Sequence, residues 1–302
     1  MSTNHNGSAG QSSDREPVRK TYKLYVGGAF VRSESGYALR QNDVNGAFFA
    51  NCAKASRKDL RDAIGAARTA FGGWSTRSAF NRSQILFRLA EMIEGRRATF
   101  VELLGSLCGR DRAAAEREVS TVIDRVFWYA GWCDKFTQIL GGVNPIASPY
   151  NNFTVAEPTG VVVLLAPRSA GLIGLVTALL PALAAGNACV LVADDDLPVI
   201  ALELGEALAT SDVPAGAVNV LSGTTSELLP HAADHMDVNA IGSFGRGADD
   251  ERELGQRAAS NIKRVAVFAA RSHDEWCDAS AQSPYFVERF VEWKTSWHPV
   301  GV

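Results

Sequence analysis

Residues 155–195 read VAEPTGVVVLLAPRSAGLIGLVTALLPALAAGNACVLVADD. Gly160–Ala166 is a short apolar run that ends in a turn at Pro167. An Ala- and Leu-rich segment then closes at Gly186-Asn187, the residue types that end helices. A second apolar run, Ala188–Val192, gives way to Asp194, Asp195 and Asp196. A strand, a crossover helix and a parallel strand buried on both faces produce this order, so the stretch predicts a βαβ unit. Ligands of such sheets bind outside the carboxyl ends of the strands. Any chemistry is therefore expected at Pro167–Leu172 and Val192–Asp195.

Downstream the alternation continues. The pattern predicts helix 198–210, strand 218–221, helix 225–235, a short strand around 238–241, helix 249–260 and strand 264–269. That is an α/β chain with a doubly wound, Rossmann-like parallel sheet. Upstream, Tyr22–Val31 reads as a hairpin turning at Gly27-Gly28, and Phe48–Ala53 as a strand. Ser56 is placed to cap a helix over 57–71, whose Leu60, Ile64, Ala67 and Phe71 share a face; Gly72-Gly73 is expected to stop it. Helices follow over 80–95, 99–108 and 113–136. On the last, Val119, Ile123, Val126, Phe127 and Ala130 form the buried stripe. Glu116, Arg117, Glu118, Asp124 and Arg125 read as a solvated face. A Gly/Pro loop leads to an alternating strand over 152–157. After Ala269 the pattern breaks: 271–284 is polar and irregular, and 285–302 ends in an aromatic alternation, Val291/Trp293/Thr295/Trp297. An exposed strand this aromatic calls for a partner.

The net charge of −3 gives no reason to expect nucleic acid or an anionic membrane as a partner. Leu172–Ala185 is too short for a span and contains Pro181. Residues 1–20 lack an apolar signal core and read as a disordered tail. Five dispersed cysteines without CxxC spacing read as reduced thiols, which points to the cytoplasm.

The chain also resembles the aldehyde dehydrogenases from Tyr22 to Ala269 and again at its last strand. The matching stretches are KLYVGGAFV (23–31), DLRDAIGAARTAFGGW (59–74), NRSQILFRLAEMIE (81–94), EPTGVVVLLAP (157–167), LLPALAAGN (179–187), VPAGAVNVLSG (213–223) and VEWKTSWHP (291–299). The resemblance implies an NAD-binding doubly wound domain, a catalytic domain inserted into it, and a β-extension that builds a dimer. It divides the chain into the tail (1–20), a Rossmann-like domain (21–270, with 140–157 giving a strand of the extension), a linker in place of the catalytic domain (271–284) and an oligomerisation strand (285–302).

Carried over position by position, the family's working residues are missing. Its Pro-Trp-Asn, which helps form the oxyanion hole, falls on Pro167-Arg168-Ser169, and serine is too short to place an amide there. Its Lys-Pro-Ser-Glu, which holds the adenosine ribose, falls on Val192-Ala193-Asp194-Asp195; Val192 has no donor, and Asp195 keeps only the acidity. Its Phe-Thr-Gly-Ser at the pyrophosphate falls on Ser243-Phe244-Gly245-Arg246, with a bulky Arg in place of Ser. Its general-base Glu falls on Phe268, which cannot move a proton. Cys277 lacks the family's nucleophile surroundings, and flanking carboxylates raise a thiol's pKa.

Other motifs have plainer readings. His231 and His235 stand four apart without the Glu of a zinc-protease helix and read as helix-end histidines. His273 and Cys277 lack a second ligand pair, so no metal is expected. The aspartate run is expected to cap the next helix, and Gly223 and Gly245 to serve turns. The expectation is thus a pseudoenzyme, structural or regulatory. It has no catalytic residues and no cofactor, NAD being disfavoured because Arg246 blocks its place. The vestigial cleft comprises Pro167, Ser169, Val192, Asp195, Gly223, Gly245 and Arg246. The expected interface is Phe290, Val291, Trp293, Thr295 and Trp297, joining the chain to a copy of itself as a dimer or to a full-length aldehyde dehydrogenase. The layout resembles the non-catalytic C-terminal half of family-16 aldehyde dehydrogenases. A binding module for NAD(P) or another anion is the alternative, and an active oxidoreductase using Cys277 is third.

Overall fold

The protein is described by a computed structural model over residues 20–300. Apart from Lys20, the tail read as disordered lies outside the described residues. The chain opens with β1 (Thr21–Tyr22), the hairpin β2 (Leu24–Val26) and β3 (Ala29–Val31), β4 (Ala38–Asn42) and β5 (Phe48–Ala53). Helices follow: α1 (Arg57–Ser75), α2 (Ala79–Gly95), α3 (Arg97–Cys108), α4 (Arg112–Trp132) and α5 (Phe136–Leu140). After β6 (Gly142–Val143) and β7 (Tyr150–Pro158), the βαβ unit appears as β8 (Val161–Leu165), α6 (Gly171–Ala184) and β9 (Ala188–Val192). The alternation continues through α7 (Pro198–Thr210), β10 (Val218–Leu221), α8 (Thr225–Asp234), β11 (Ala240–Phe244), α9 (Ala248–Ala258) and β12 (Arg264–Phe268). Two short helices, α10 (His273–Cys277) and α11 (Pro284–Glu288), lead to β13 (Val291–Pro299).

The central sheet has the order β12-β11-β8-β9-β10-β2-β3, parallel from β12 to β10 and closed by the antiparallel hairpin. The unbroken apolar run of β8 is explained by its two covered faces. Val162 and Leu164 belong to the core shared with α2–α4, α6 and α7; Val161, Val163 and Leu165 belong to the core beneath α1 and α8. Gly186, at φ +100°, turns the chain from α6 into β9. Asn187 locks that turn: its side-chain oxygen accepts from the Gly160 N–H at 2.9 Å, while its amide donates to the Ala182 and Phe290 carbonyls.

Several boundaries differ from the sequence reading. Ser56 caps α1 in a reciprocal capping box with Asp59. Gly72-Gly73 does not stop that helix, however, because the buried Trp74 anchors one more turn by donating its indole N–H to the Leu183 carbonyl. The helix expected over 113–136 breaks after Trp132. The strand expected at 238–241 lies at 240–244, where β8 and β12 flank it. The segment 271–284 is not irregular: Ser272 and Glu275 form a capping box on α10, and Trp276 is buried. A second three-stranded sheet, β13-β7-β6, pairs β13 with β7 over nine residues. Phe290 and Val291, expected at an interface, are instead fully buried where β13 leaves the body; the Phe290 ring rests 6.0 Å from Phe268.

Candidate functional site

From β8 to β10 the chain builds the sheet in one direction, and from β11 to β12 in the other, so the reversal lies between β8 and β11. The carboxyl ends of those two strands are where a crevice for a ligand forms in this topology. Here the Arg246 side chain, buried at 6% exposure, lies across it. Its Nη2 donates to the Ala166 carbonyl at the end of β8 (3.0 Å) and to Thr225 Oγ1 at the start of α8 (3.3 Å). Burial lowers its pKa, with Asp195 the strongest opposing influence. Nε and Nη1 have no hydrogen-bond partner among the described residues. Gly245, at φ +64°, turns the chain out of β11; a Cβ there would lie 3.2 Å from Ala270 Cα.

The remaining vestigial positions are occupied by interactions within the protein. Ser169 adopts φ +54° and donates its N–H to Asp194 Oδ2 at 2.6 Å. The Asp195 carboxylate accepts from both the N–H and the hydroxyl of Thr225. The aspartate run therefore does not cap α7, whose N-cap Leu197 makes no side-chain bond; it ties loops on either side of β9. Pro167 and Val192 are buried, and Gly223 packs against Leu228 and Ala55. Beyond β12, Phe268 stacks face to face on Phe244 at 4.2 Å and meets Phe286 edge-on at 5.1 Å. That strand end holds an aromatic pile.

A second polar cluster lies beside this edge, and the sequence reading missed it. Glu118 and Arg125, expected on a solvated face, are both 1% exposed. Glu118 Oε1 accepts from the Ile173 N–H at 3.1 Å, which caps α6 where Ala170 offers no side-chain cap. Gly171, at φ +66°, leaves room for this: a Cβ there would come within 2.5 Å of Glu118 Oε1. Burial pushes the Glu118 carboxyl up to about 7, against the opposing pull of the Ile173 N–H and Arg110. Arg125 donates to Thr177 Oγ1 (2.5 Å) and to the carbonyls of Trp276 (2.7 Å) and Asp278 (2.9 Å), joining α4 to α6 and α10. The overlooked signal is spacing. Ala115, Glu118, Val122, Arg125 and Tyr129 recur every three or four residues, a second core stripe on α4 in which two positions are charged.

His273 and Cys277 complete this cluster. His273 Nε2 is 3.5 Å from Glu118 Oε2 and 3.6 Å from Cys277 Sγ. A thiol relay needs thiol and carboxylate on opposite ring nitrogens, whereas here both face Nε2. Burial, reinforced by Glu118, pushes the Cys277 thiol up to about 11. Burial and Arg110 hold His273 below its ordinary value, so it is neutral at physiological pH. The arrangement braces α6 and offers no activated nucleophile. No group of three metal-ligating side chains comes together among the described residues, and no helix among them is long and apolar enough to cross a membrane.

Comparison with known proteins agrees with this topology. Residues 30–269 match the aldehyde dehydrogenase family. The chain is 32% identical over 249 residues to a D-glyceraldehyde dehydrogenase (NADP(+)) of Thermoplasma acidophilum, a match covering 81% of this chain and 49% of that protein. It is 33% identical over 253 residues to aldehyde dehydrogenase family 2 member B4, mitochondrial, of Arabidopsis thaliana, covering 81% and 46%. Among solved structures, HpcC of Thermus thermophilus superposes with a TM-score of 0.77 at 25% identity, over 82% of this chain and 48% of that one. The NAD+ complex of an aldehyde dehydrogenase of Bacillus cereus gives 0.76 at 26%, over 82% and 50%. The chain thus spans about half the length of these two relatives.

Proposed function

The chain belongs to the aldehyde dehydrogenase family, and from that premise we propose that it works as a non-catalytic subunit, structural or regulatory, which associates with a copy of itself or with a full-length aldehyde dehydrogenase. The carrying observation is the ribbon β13-β7-β6. Among the described residues its outer strand β13 pairs on one side only, and Trp293 and Trp297 are 41% and 58% exposed on it. Unpaired edges bearing large aromatics are what soluble proteins cover. Trp293, Thr295 and Trp297 form the binding face, while Phe290 and Val291 anchor the strand to the body.

The replaced site supports the absence of catalysis. Between β12 and β13 stand only residues 269–290, Phe268 takes the general-base position, and Cys277 is not activated. A dinucleotide does not fit the cleft. Arg246 crosses the strand ends, Val192 offers no donor, and Asp195 already accepts two hydrogen bonds from Thr225. A second reading, a module for an anionic ligand, draws support from the two unpartnered nitrogens of Arg246. Titration with NAD(H) or NADP(H) separates the two: no heat that Arg246→Ala removes on the first reading, heat that Arg246→Ala removes on the second.

The main test is sizing by light scattering, with the chain alone and co-expressed with a full-length aldehyde dehydrogenase from the same cell. The expected outcome is a dimer or a stable mixed complex. A strictly monomeric chain that the enzyme does not retain would sink the proposal.

A further inference from the structure

Between α1 and the end of α8 lies a cleft of about 450 Å³. Arg57, Lys58 and Arg61 of α1 line one wall, and His231, Asp234 and His235 line the other. The chain as a whole is negative, so this concentration of cations is local. The nearby carboxylates are already engaged: Asp62 faces Lys58 at 2.5 Å and Arg61 at 3.7 Å, and Asp234 faces Arg257 at 2.8 Å. Arg57 has no ion-pair partner among the described residues. It stands one turn from Arg61, a like-charge spacing that works against an isolated helix. His235 Nδ1 accepts from the Asp237 N–H at 3.2 Å, which leaves the proton on Nε2 and makes that nitrogen a donor even in the neutral ring.

We propose that this cleft binds the phosphate groups of a small phosphorylated metabolite. The Arg57 and Arg61 guanidinium groups, with the His235 imidazole as a further donor, suit an anion with at least two charges, and planar Arg forks match phosphate oxygens. The size is that of a small-molecule site rather than of a polymer track. Arg57 and His231 also border a neighbouring cleft of about 320 Å³ that reaches Lys54 and the exposed Tyr37, giving the organic part of such a ligand a place to lie. The site shares no residue with the ribbon or with the strand ends, so it does not depend on the proposed assembly role.

Calorimetric titration of the full chain with inorganic pyrophosphate, and separately with ATP, tests this. The expectation is saturable binding with a Kd between about 10 µM and 1 mM. Arg57→Ser with Arg61→Ser weakens it at least about tenfold, since both charge-assisted forks are lost, while Arg246→Ala leaves it unchanged. Both substituted arginines are exposed and leave the Leu60/Ile64 stripe intact, and a melting curve matching the parent's checks the fold. In NMR spectra the ring protons of His231 and His235 shift on addition of pyrophosphate. Tighter binding of ATP, with the difference removed by Tyr37→Ala, places the organic part in the second cleft; equal affinities confine recognition to the phosphates. Absence of saturable binding, full affinity in the double variant, dependence on Arg246, or unmoved histidine rings would each overturn the proposal.

Discussion

The strand ends around Arg246 and Glu118 and the ribbon formed by β13 and β7 face in opposite senses. At the strand ends polar groups are turned inward and consume one another. Asp194 takes the Ser169 N–H, Asp195 takes Thr225, Glu118 takes the α6 N-terminus, and Arg125 takes two carbonyls of the α10 region. In the ribbon, apolar groups are turned outward, Trp293 and Trp297 among them. A region whose carboxylates and guanidinium groups bond within the chain, with Arg246 Nε and Nη1 left unpartnered among the described residues, adds to the stability of the fold. A region that leaves aromatic surface uncovered adds to association. Substitutions at the strand ends should therefore lower folding stability and spare assembly, and substitutions in the ribbon should do the reverse.

Arg125 gives the sharpest version of the first half. Replacing it with Ala removes three donated hydrogen bonds, strands the Trp276 and Asp278 carbonyls near the interior and leaves a void in the α4–α6 packing. Buried charged donors and cavities of this kind together cost about 3–5 kcal/mol. Urea unfolding measures it, and a loss below about 1 kcal/mol would mean that α10 does not hang on this side chain.

Glu118 adds a pH signature. Its pKa rises from an ordinary 4.5 to about 7 in the folded chain because burial disfavours the carboxylate. The native state therefore holds this proton more tightly than the unfolded chain does. The resulting stabilisation is fully present below about pH 4.5 and is lost as pH rises through 7. The shift corresponds to at most roughly 3 kcal/mol. His273 runs the other way: its depressed pKa favours the neutral ring, so its contribution is lost as pH falls. Comparison with Glu118→Gln isolates the carboxyl, since both proteins carry His273. The Gln variant should gain on the parent by up to about 3 kcal/mol between about pH 5 and pH 8. A difference independent of pH would show that Glu118 titrates normally.

The same contrast explains what was legible in the sequence. Residues 155–195 specify strand, helix and strand because burial on both faces leaves an unbroken apolar signature, and Gly186-Asn187 marks the turn between them. Edges of elements were less legible where one side chain decides them. Trp74 extends α1 through two glycines, and nothing local to GGW announces its bond to Leu183. The buried charges were illegible for a related reason. Glu118 and Arg125 look like solvent groups until α6 and α10, distant in sequence, supply their partners. Phe290 and Val291 read as part of the exposed strand because alternation says which residues share a face, while the point where a strand leaves the body depends on packing, here against Phe268 and Asn187.

The smallest expected change in stability, and the largest in assembly, belongs to the ribbon. In Trp293→Ser with Trp297→Ser, little packing within the chain is lost: Trp297 meets Tyr150 edge-on at 6.1 Å, and Trp293 lies opposite the small Ala156. Cross-strand pairs of this kind contribute roughly 0.2–1 kcal/mol each. The Thr295–Thr154 hydroxyl contact and the Lys294–Glu157 ion pair remain to hold β13 in register. Folding stability should therefore fall by about 1 kcal/mol or less, while the dissociation constant of the assembly rises at least about tenfold, as removal of central aromatic anchors does at protein interfaces. Unfolding curves and sedimentation of the same preparation read the two effects side by side. A variant that unfolds much more easily yet associates as before would make these tryptophans part of the fold and leave the exposed edge of β13 without a purpose.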